Sequence, residues 1–216
     1  MTYSGNVKAG SPQVRELADL VITKASVGRM DNNAYLLQCR STGDRLLIDA
    51  AAEAAVLLQL LGDEKLDQVV TTHRHGDHWG ALSEIVKAKA PTTIAGAADA
   101  DGIPVATTRT VEGGDTISAG GCRLEVIHLI GHTPGSIALL YDDPTGPPHL
   151  WTGDSLFPGG VGNTSSAGDF ESLIGDVEHE LFDRLPNETW VYPGHGADTT
   201  LGTERPHLAE WRARGW

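Results

Sequence analysis

Positive charge is scarce in this sequence: 16 Lys and Arg stand against 29 Asp and Glu in 216 residues, a formal net charge of −13. Nucleic-acid phosphates and anionic membrane surfaces are bound through clustered Lys and Arg. No basic run occurs along the chain, so neither is an expected partner. No apolar run approaches the ~20 residues of a membrane-spanning helix. The opening residues, Met1-Thr2-Tyr3-Ser4-Gly5-Asn6-Val7-Lys8, lack the apolar segment of a secretory signal, and a cytoplasmic location is expected. Cysteine is also rare. Cys39 and Cys122 fall in predicted strands and are expected as buried thiols, with one bridge between them left open. There is no short-period repeat or clear linker, and no strand is followed by the glycine-rich Lys-Ser/Thr pattern of a phosphate loop. The length favours one domain spanning 1–216.

Elements follow from periodicity and punctuation. Residues 1–17 read as a polar lead-in. Strands are predicted over Leu20–Val27, Ala34–Cys39 and Arg45–Ile48, separated by turns at Asp31-Asn32-Asn33 and Ser41-Thr42-Gly43-Asp44. Ala51–Leu61 reads as a helix stopped by Gly62, and His78–Lys89 as a second, with Trp79, Leu82, Ile85 and Val86 on its apolar face and Pro91 closing it. A strand at Thr92–Ala95 leads into a Gly-rich stretch, 96–121, expected to hold a short helix and strand pieces. Further strands are expected at Arg123–Leu129, Ser136–Tyr141, His149–Thr152 and Thr189–Tyr192. Asp169–Leu185 is the clearest helix, with Asp169 as N-cap, one stripe through Phe170, Leu173, Ile174, Val177, Leu181 and Leu185, and Pro186 ending it. A short helix is placed near Arg205–Arg212. Strand runs with helices outside predict two sheets packed face to face under helical layers.

The chemistry concentrates after one predicted strand. His73-Arg74-His75-Gly76-Asp77-His78 follows the apolar run Gln68-Val69-Val70-Thr71-Thr72. Neutral imidazole and carboxylate oxygen together suit zinc, manganese or iron. Residues two apart in extended chain project to the same side, so His73 and His75 can grip one ion. Asp77 and His78 lie one step further on and can serve a second. The competing reading is a solvated turn with Asp77 capping the next helix. Three more segments set a ligand type just beyond a predicted strand, each directly after a glycine: Gly131-His132-Thr133-Pro134-Gly135-Ser136, Thr152-Gly153-Asp154-Ser155-Leu156-Phe157 and Pro193-Gly194-His195-Gly196. Each alone fits ordinary turn chemistry; their joint occurrence does not.

With these motifs the chain resembles the metallo-β-lactamase-fold hydrolases, and among them the glyoxalase II-like branch (hydroxyacylglutathione hydrolases). The resemblance runs from Asp31-Asn32-Asn33-Ala34-Tyr35-Leu36-Leu37 to the Pro-Gly-His-Gly loop. It implies an α/β fold, a four-layer αβ/βα sandwich, with a dinuclear site. His73, His75 and His132 would hold one metal, and Asp77, His78 and His195 the other. Asp154 would bridge them, and Asp77 and Asp154 would be the catalytic carboxylates. Two divalent ions are implied, zinc first, with iron or manganese as alternatives. The implied substrate is a small-molecule thioester or related ester, because a good leaving thiol needs no dedicated general acid. Lactam hydrolysis and oxygen reduction are disfavoured, since Asp154 and His75 stand where those branches carry other residues. Little chain follows His195, too little for the helical extension that helps glyoxalase II hold glutathione, and Pro158–Ser166 stands where its usual Lys and Tyr contacts would be, so a different thiol ester or a lactone also fits; Gly159–Gly168 is either a substrate-side loop or a simple loop. The alternatives are a persulfide dioxygenase using one iron on His73, His132 and Asp154, and a metal-bound sensor without turnover. Trp79 is assigned to the core, His128 to a packed or supporting place, and His149, His179 and His207 to the surface. Trp211 and Trp216 are assigned to tail packing or a subunit contact.

Overall fold

A computed structural model describes residues 3–215; Trp216 lies outside the described residues. The first sheet has seven strands in sequence order: β1 (Gln13–Glu16), β2 (Leu20–Val27), β3 (Asn32–Cys39), β4 (Arg45–Ile48), β5 (Gln68–Thr71), β6 (Thr92–Gly96) and β7 (Arg109–Val111). Pairing is antiparallel as far as β4 and parallel from β4 to β7. The second sheet is built from β8 (Thr116–Ala119), β9 (Cys122–His128), β10 (Ile137–Tyr141), β11 (His149–Gly153), β14 (Trp190–Pro193) and β15 (Thr199–Thr200), in the order β15-β14-β11-β10-β9-β8. Between β11 and β14 lies a small hairpin of β12 (Leu156–Phe157) and β13 (Gly160–Val161).

Alternation along the strands sorts the apolar residues into layers. Leu46 and Ile48 point inward and meet Val126, Leu139 and Trp151 of the other sheet. Leu47, between them, points outward with Val69 and packs under α1 (Ala54–Leu61) and α2 (Leu82–Lys89) through Leu57, Leu61, Leu82 and Ile85. On the far side, Ile127, Leu140 and Val191 receive Phe170, Leu173 and Ile174 of α3 (Ala167–Asp176). The result is the expected αβ/βα sandwich. Removing one such leucine to alanine costs about 2–5 kcal/mol, because the site collapses only partly. Among the described residues no helix is long and apolar enough to cross a membrane.

Several boundaries differ from the sequence reading, each for a local reason. The lead-in contains a strand, β1, which pairs with β2. Asn32 and Asn33, read as turn residues, are buried in β3 because their amides find partners in the loop at 193–196 and at Asp77. The helix after the histidine cluster starts at Leu82; Gly76–His78 is a single 3₁₀ turn, since His78 is held sideways by a buried acid. Asp169 is not the N-cap of α3. Ser166 is, its hydroxyl accepting from the Asp169 amide at 3.1 Å and donating to Asp169 Oδ2 at 2.8 Å. The helix then widens into a π-helical turn at Val177–Phe182, keeping Leu181 on the buried face. Trp211 packs against Phe182, at a ring separation of 6.3 Å. Cys39 and Cys122 are buried free thiols.

His149 is the clearest misplacement. Read as a surface residue, it is fully buried between the sheets, with Nδ1 2.9 Å from the Tyr192 hydroxyl and Nε2 without a hydrogen-bond partner. Burial, reinforced by the Arg15 charge, pushes its pKa down to about 4. The unfolded chain therefore binds a proton from about pH 6.5 downward while the folded chain does not, so the fold loses stability as pH falls from 6.5 and the loss is complete near 4. At 1.36 kcal/mol per unit this approaches ~3 kcal/mol. His149→Phe should flatten the acid limb of a urea-unfolding pH profile in that window, and an unchanged limb would refute the assignment.

Candidate metal centre

All four ligand-bearing segments leave strands at one edge of the sandwich. His73 follows β5, His132 follows β9, Asp154 follows β11 and His195 follows β14. β11 and β14 run parallel, and β9 shares their direction because both β9 and β11 are antiparallel to β10. The two sheets are stitched together here: the Ile137 amide donates to Thr72 O at 3.0 Å and the Asn33 amide to Gly194 O at 2.7 Å.

The seven predicted residues are brought together. Three groups, each with donor atoms within 4.8 Å of one another, are His73-His75-His132, Asp77-His78-His195 and His73-His78-Asp154. The third takes one histidine from each of the others, which places Asp154 between them. Its Oδ2 lies 3.6 Å from His132 Nε2 and 3.3 Å from His195 Nε2, and its Oδ1 lies 3.3 Å from His78 Nε2.

Hydrogen bonds from behind fix which nitrogen faces inward. His195 Nδ1 donates to Met30 O at 2.9 Å, and His132 Nδ1 to Asn163 O at 2.7 Å. His78 Nδ1 donates to Asp49 Oδ2 at 2.8 Å. His73 Nδ1 lies 3.1 Å from Thr72 Oγ1, whose own proton goes to Asp49, so His73 donates as well. In neutral rings, four Nε2 atoms are thereby left as acceptors. They nevertheless face each other: His73 and His132 at 3.2 Å, His78 and His195 at 3.2 Å, with His75 Nδ1 2.9 Å from His132 Nε2. Lone pairs so disposed are held together by a cation, and the buried Asp154 Oδ1, without a hydrogen bond, has the same need. The donor set fits two divalent ions.

The charges agree. Burial lowers the pKa of His73 well below its ordinary value, helped by His78, and lowers that of His75, helped by His132. Burial would lower His78 too, but the Asp49 charge, the nearby Asp154 carboxylate and the hydrogen bond to Asp49 push it up to about 10. Burial would raise the Asp154 carboxyl; the close approach of the His195 and His78 imidazoles and the charge of His73 instead hold it far below the usual carboxylate range.

Some supporting residues escaped the sequence reading. Asp49, buried at the end of β4 with φ +58°, also accepts from the Thr72 amide at 2.8 Å, so one carboxylate steadies both halves of the histidine cluster. The signal for it was a lone acid closing an apolar strand, Leu46-Leu47-Ile48-Asp49. Asn32 Nδ2 donates to Asp77 O and Oδ2, both at 3.0 Å. Lys24, fully buried in β2, donates to Gly196 O at 2.7 Å and to Asp198 Oδ1 at 2.6 Å, holding the His195 loop from below. His128 plays the expected supporting part, bonded to Pro134 O at 2.8 Å. Trp79 is half-buried, its Nε1 on Arg74 O at 2.8 Å. His179 and His207 are exposed beside Glu180 and Glu210.

A family model, the metallo-beta-lactamase superfamily, matches residues 27–195, and the chain belongs to that superfamily. Its relatives run to the hydroxyacylglutathione hydrolase branch. A "Hydroxyacylglutathione hydrolase" of a Polaromonas species is 36% identical over 76% of this chain, which spans 62% of that protein. The chain thus spans less than two thirds of that relative. The "Probable metallo-hydrolase YqgX" of Bacillus subtilis is 29% identical, with 83% of this chain and 92% of that protein aligned. Among solved structures, TTHA1623 in a di-iron-bound form superposes with a TM-score of 0.71 at 32% identity, covering 84% of this chain and 96% of that one.

The glycines before the ligands are needed for two different reasons. Gly153 turns the chain with φ +49°. Gly194 instead leaves room: a Cβ there would sit 2.1 Å from Asp154 Oδ1 and 2.7 Å from His78 Cε1. Gly194→Ala should therefore weaken metal binding by about 10–100-fold, the usual cost of disturbing a ligand's surroundings, with unchanged far-ultraviolet circular dichroism. Chelator competition measures it, and wild-type affinity would contradict the packing argument.

Proposed function

We propose that this chain is a metal-dependent hydrolase that activates water at a dinuclear centre for attack on a small-molecule thioester or related ester in the cytoplasm, with neither nucleic acid nor membrane as partner. The observation that carries the reading is the set of inward-facing histidine nitrogens around a shared carboxylate. In this reading His73, His75 and His132 would hold one ion and Asp77, His78 and His195 the other, with Asp154 shared between them. Divalent ions held there would supply an activated water near neutral pH and Lewis-acid polarisation of a carbonyl.

The chain's own residues then orient and shuttle protons. Asp154, 12% exposed, keeps a fixed negative charge under the reacting centre. Asp77 is the more open acid, 28% exposed, and is placed to take up a proton at the mouth while Asn32 fixes its Oδ2. Four of the five histidines have their second nitrogen committed to Thr72, Asp49, Asn163 or Met30, so none of those four is free to protonate a leaving group. That favours a leaving group that departs unaided, and a thiol with pKa about 8.5 does so far more readily than an amine or alkoxide. Phe157, its ring 6.2 Å from that of His195, gives the mouth an apolar wall. The names of the glutathione-thioester relatives support the same class.

Metal content per chain, measured by plasma mass spectrometry on protein purified without added metal or chelator, is the primary test. Close to two ions, zinc above iron or manganese, is expected, with thiol release from one or more members of a panel of glutathione and other small-thiol esters. His75→Ala should lose at least about 100-fold in kcat/KM and lower metal content while the fold persists. About one iron with oxygen consumption on a persulfide would replace this reading by the dioxygenase, and two ions without turnover on any ester, thioester or lactone would leave only a binding role.

A further inference from the structure

The histidine triad 73-75-132 is drawn from two different sheets, and the residue that joins the two loops belongs to neither. Asp99 follows β6 in the turn before the 3₁₀ segment Ala100–Gly102 and is fully buried. Its Oδ2 accepts from the Arg74 amide at 3.0 Å, and Arg74 is the residue between His73 and His75. The same oxygen accepts the hydroxyl proton of Thr133, the residue directly after His132. Its Oδ1 accepts from the Gly135 amide at 2.9 Å, in the same loop. Since Thr133 gives its proton to Asp99, the Ser136 hydroxyl, 2.6 Å away, must donate to Thr133, which orients the loop further. Gly135 is required for the approach, because a Cβ there would lie 2.4 Å from the Asp99 amide nitrogen. The Arg74 guanidinium also lies near, its Nε 3.8 Å from Asp99 Oδ1.

None of these bonds reaches the other triad. Asp77 is held by Asn32, His78 by Asp49 and His195 by Met30 O. We propose that Asp99 is a positioning residue for one metal only: it ties the Arg74 amide to the Thr133 hydroxyl and Gly135 amide, and so sets the spacing of His73, His75 and His132 independently of the second site. The inference rests on the dinuclear reading above, but not on which ester is cleaved.

The charge on Asp99 is needed for its three buried donors. An amide of the same shape presents one acceptor oxygen and one donor nitrogen, so in either orientation of Asp99→Asn at least one loop donor faces an N–H. The test is site-resolved. Wild-type protein, Asp99→Asn and the milder Thr133→Val are equilibrated at a series of buffered free-zinc concentrations. Occupancy at each site is read from zinc anomalous diffraction, and overall affinity from chelator competition. The expected result is about 10–100-fold weaker zinc binding at the His73-His75-His132 site in Asp99→Asn, a smaller loss at the same site in Thr133→Val, and little change at the Asp77-His78-His195 site. Equal loss at both sites would overturn the proposal and make Asp99 a general structural anchor, as would unchanged occupancy in both variants. If Asp99→Asn does not fold, Thr133→Val carries the test alone, with the same two overturning results. Wild-type protein that takes up no zinc, or that binds two ions but cleaves no ester, bears on the dinuclear or hydrolase reading instead, so the two failures are told apart.

Discussion

Histidine nitrogens forced to face one another are the constraint around which this molecule is arranged. Hydrogen bonds donated to Asp49, Asn163 O, Met30 O and the Thr72 hydroxyl oxygen turn four imidazoles so that their lone pairs converge. That arrangement is unfavourable by itself, and an apolar sandwich of two sheets supplies the rigidity that sustains it. The inward residues Leu46, Ile48, Val126 and Leu139 fix how the sheets approach, and the bonds Ile137 N to Thr72 O and Asn33 N to Gly194 O fix how their edges meet. Fold and site are therefore not separable here: the same edge-to-edge contacts that close the sandwich bring the ligand loops within reach.

The supports behind the ligands are costly groups in their own right. Lys24 and Asp198 form a pair with side chains 0% and 1% exposed, and such a pair is worth having only when the remaining hydrogen-bond capacity is filled. It is filled: Lys24 also reaches Gly5 O and Gly196 O, and Asp198 accepts from Tyr3 and Trp190. Breaking either partner alone would strand a buried charge. The His195 loop is thus held by a network whose parts come from the two ends of the described chain.

The candidate metal-binding residues were legible in the sequence because metal chemistry restricts residue type and because His132, Asp154 and His195 each follow a glycine at a strand end. The layering was legible too, since alternation in Leu46-Leu47-Ile48 and the stripe from Phe170 to Leu181 carry the two periods directly. The supports were not. Lys24 sits in Leu-Val-Ile-Thr-Lys-Ala-Ser-Val, where a lysine reads as the solvent face of a strand, and only the distant Asp198 makes its burial tolerable. His149 misled for the same reason: its partner Tyr192 is 43 residues away, and no local pattern announces it. The start of α2 was placed too early because helical spacing continues from Trp79, whereas the Asp49 contact that bends His78 aside is long-range.

The order in which the site is made follows from where β14 stands. Asp49 and the 73–78 cluster lie in the first sheet, and its strands pair in sequence order, so that half can organise as soon as its own segment is available. His132 and Asp154 come later, and His195 follows the parallel strand β14, which must cross back beside β11. At synthesis rates of about 5–20 residues per second, some 6–24 seconds separate the appearance of His73 from that of His195. During that interval the nascent chain offers only partial ligand sets to passing metal ions. The full set of candidate ligands is therefore complete only once the chain has passed His195.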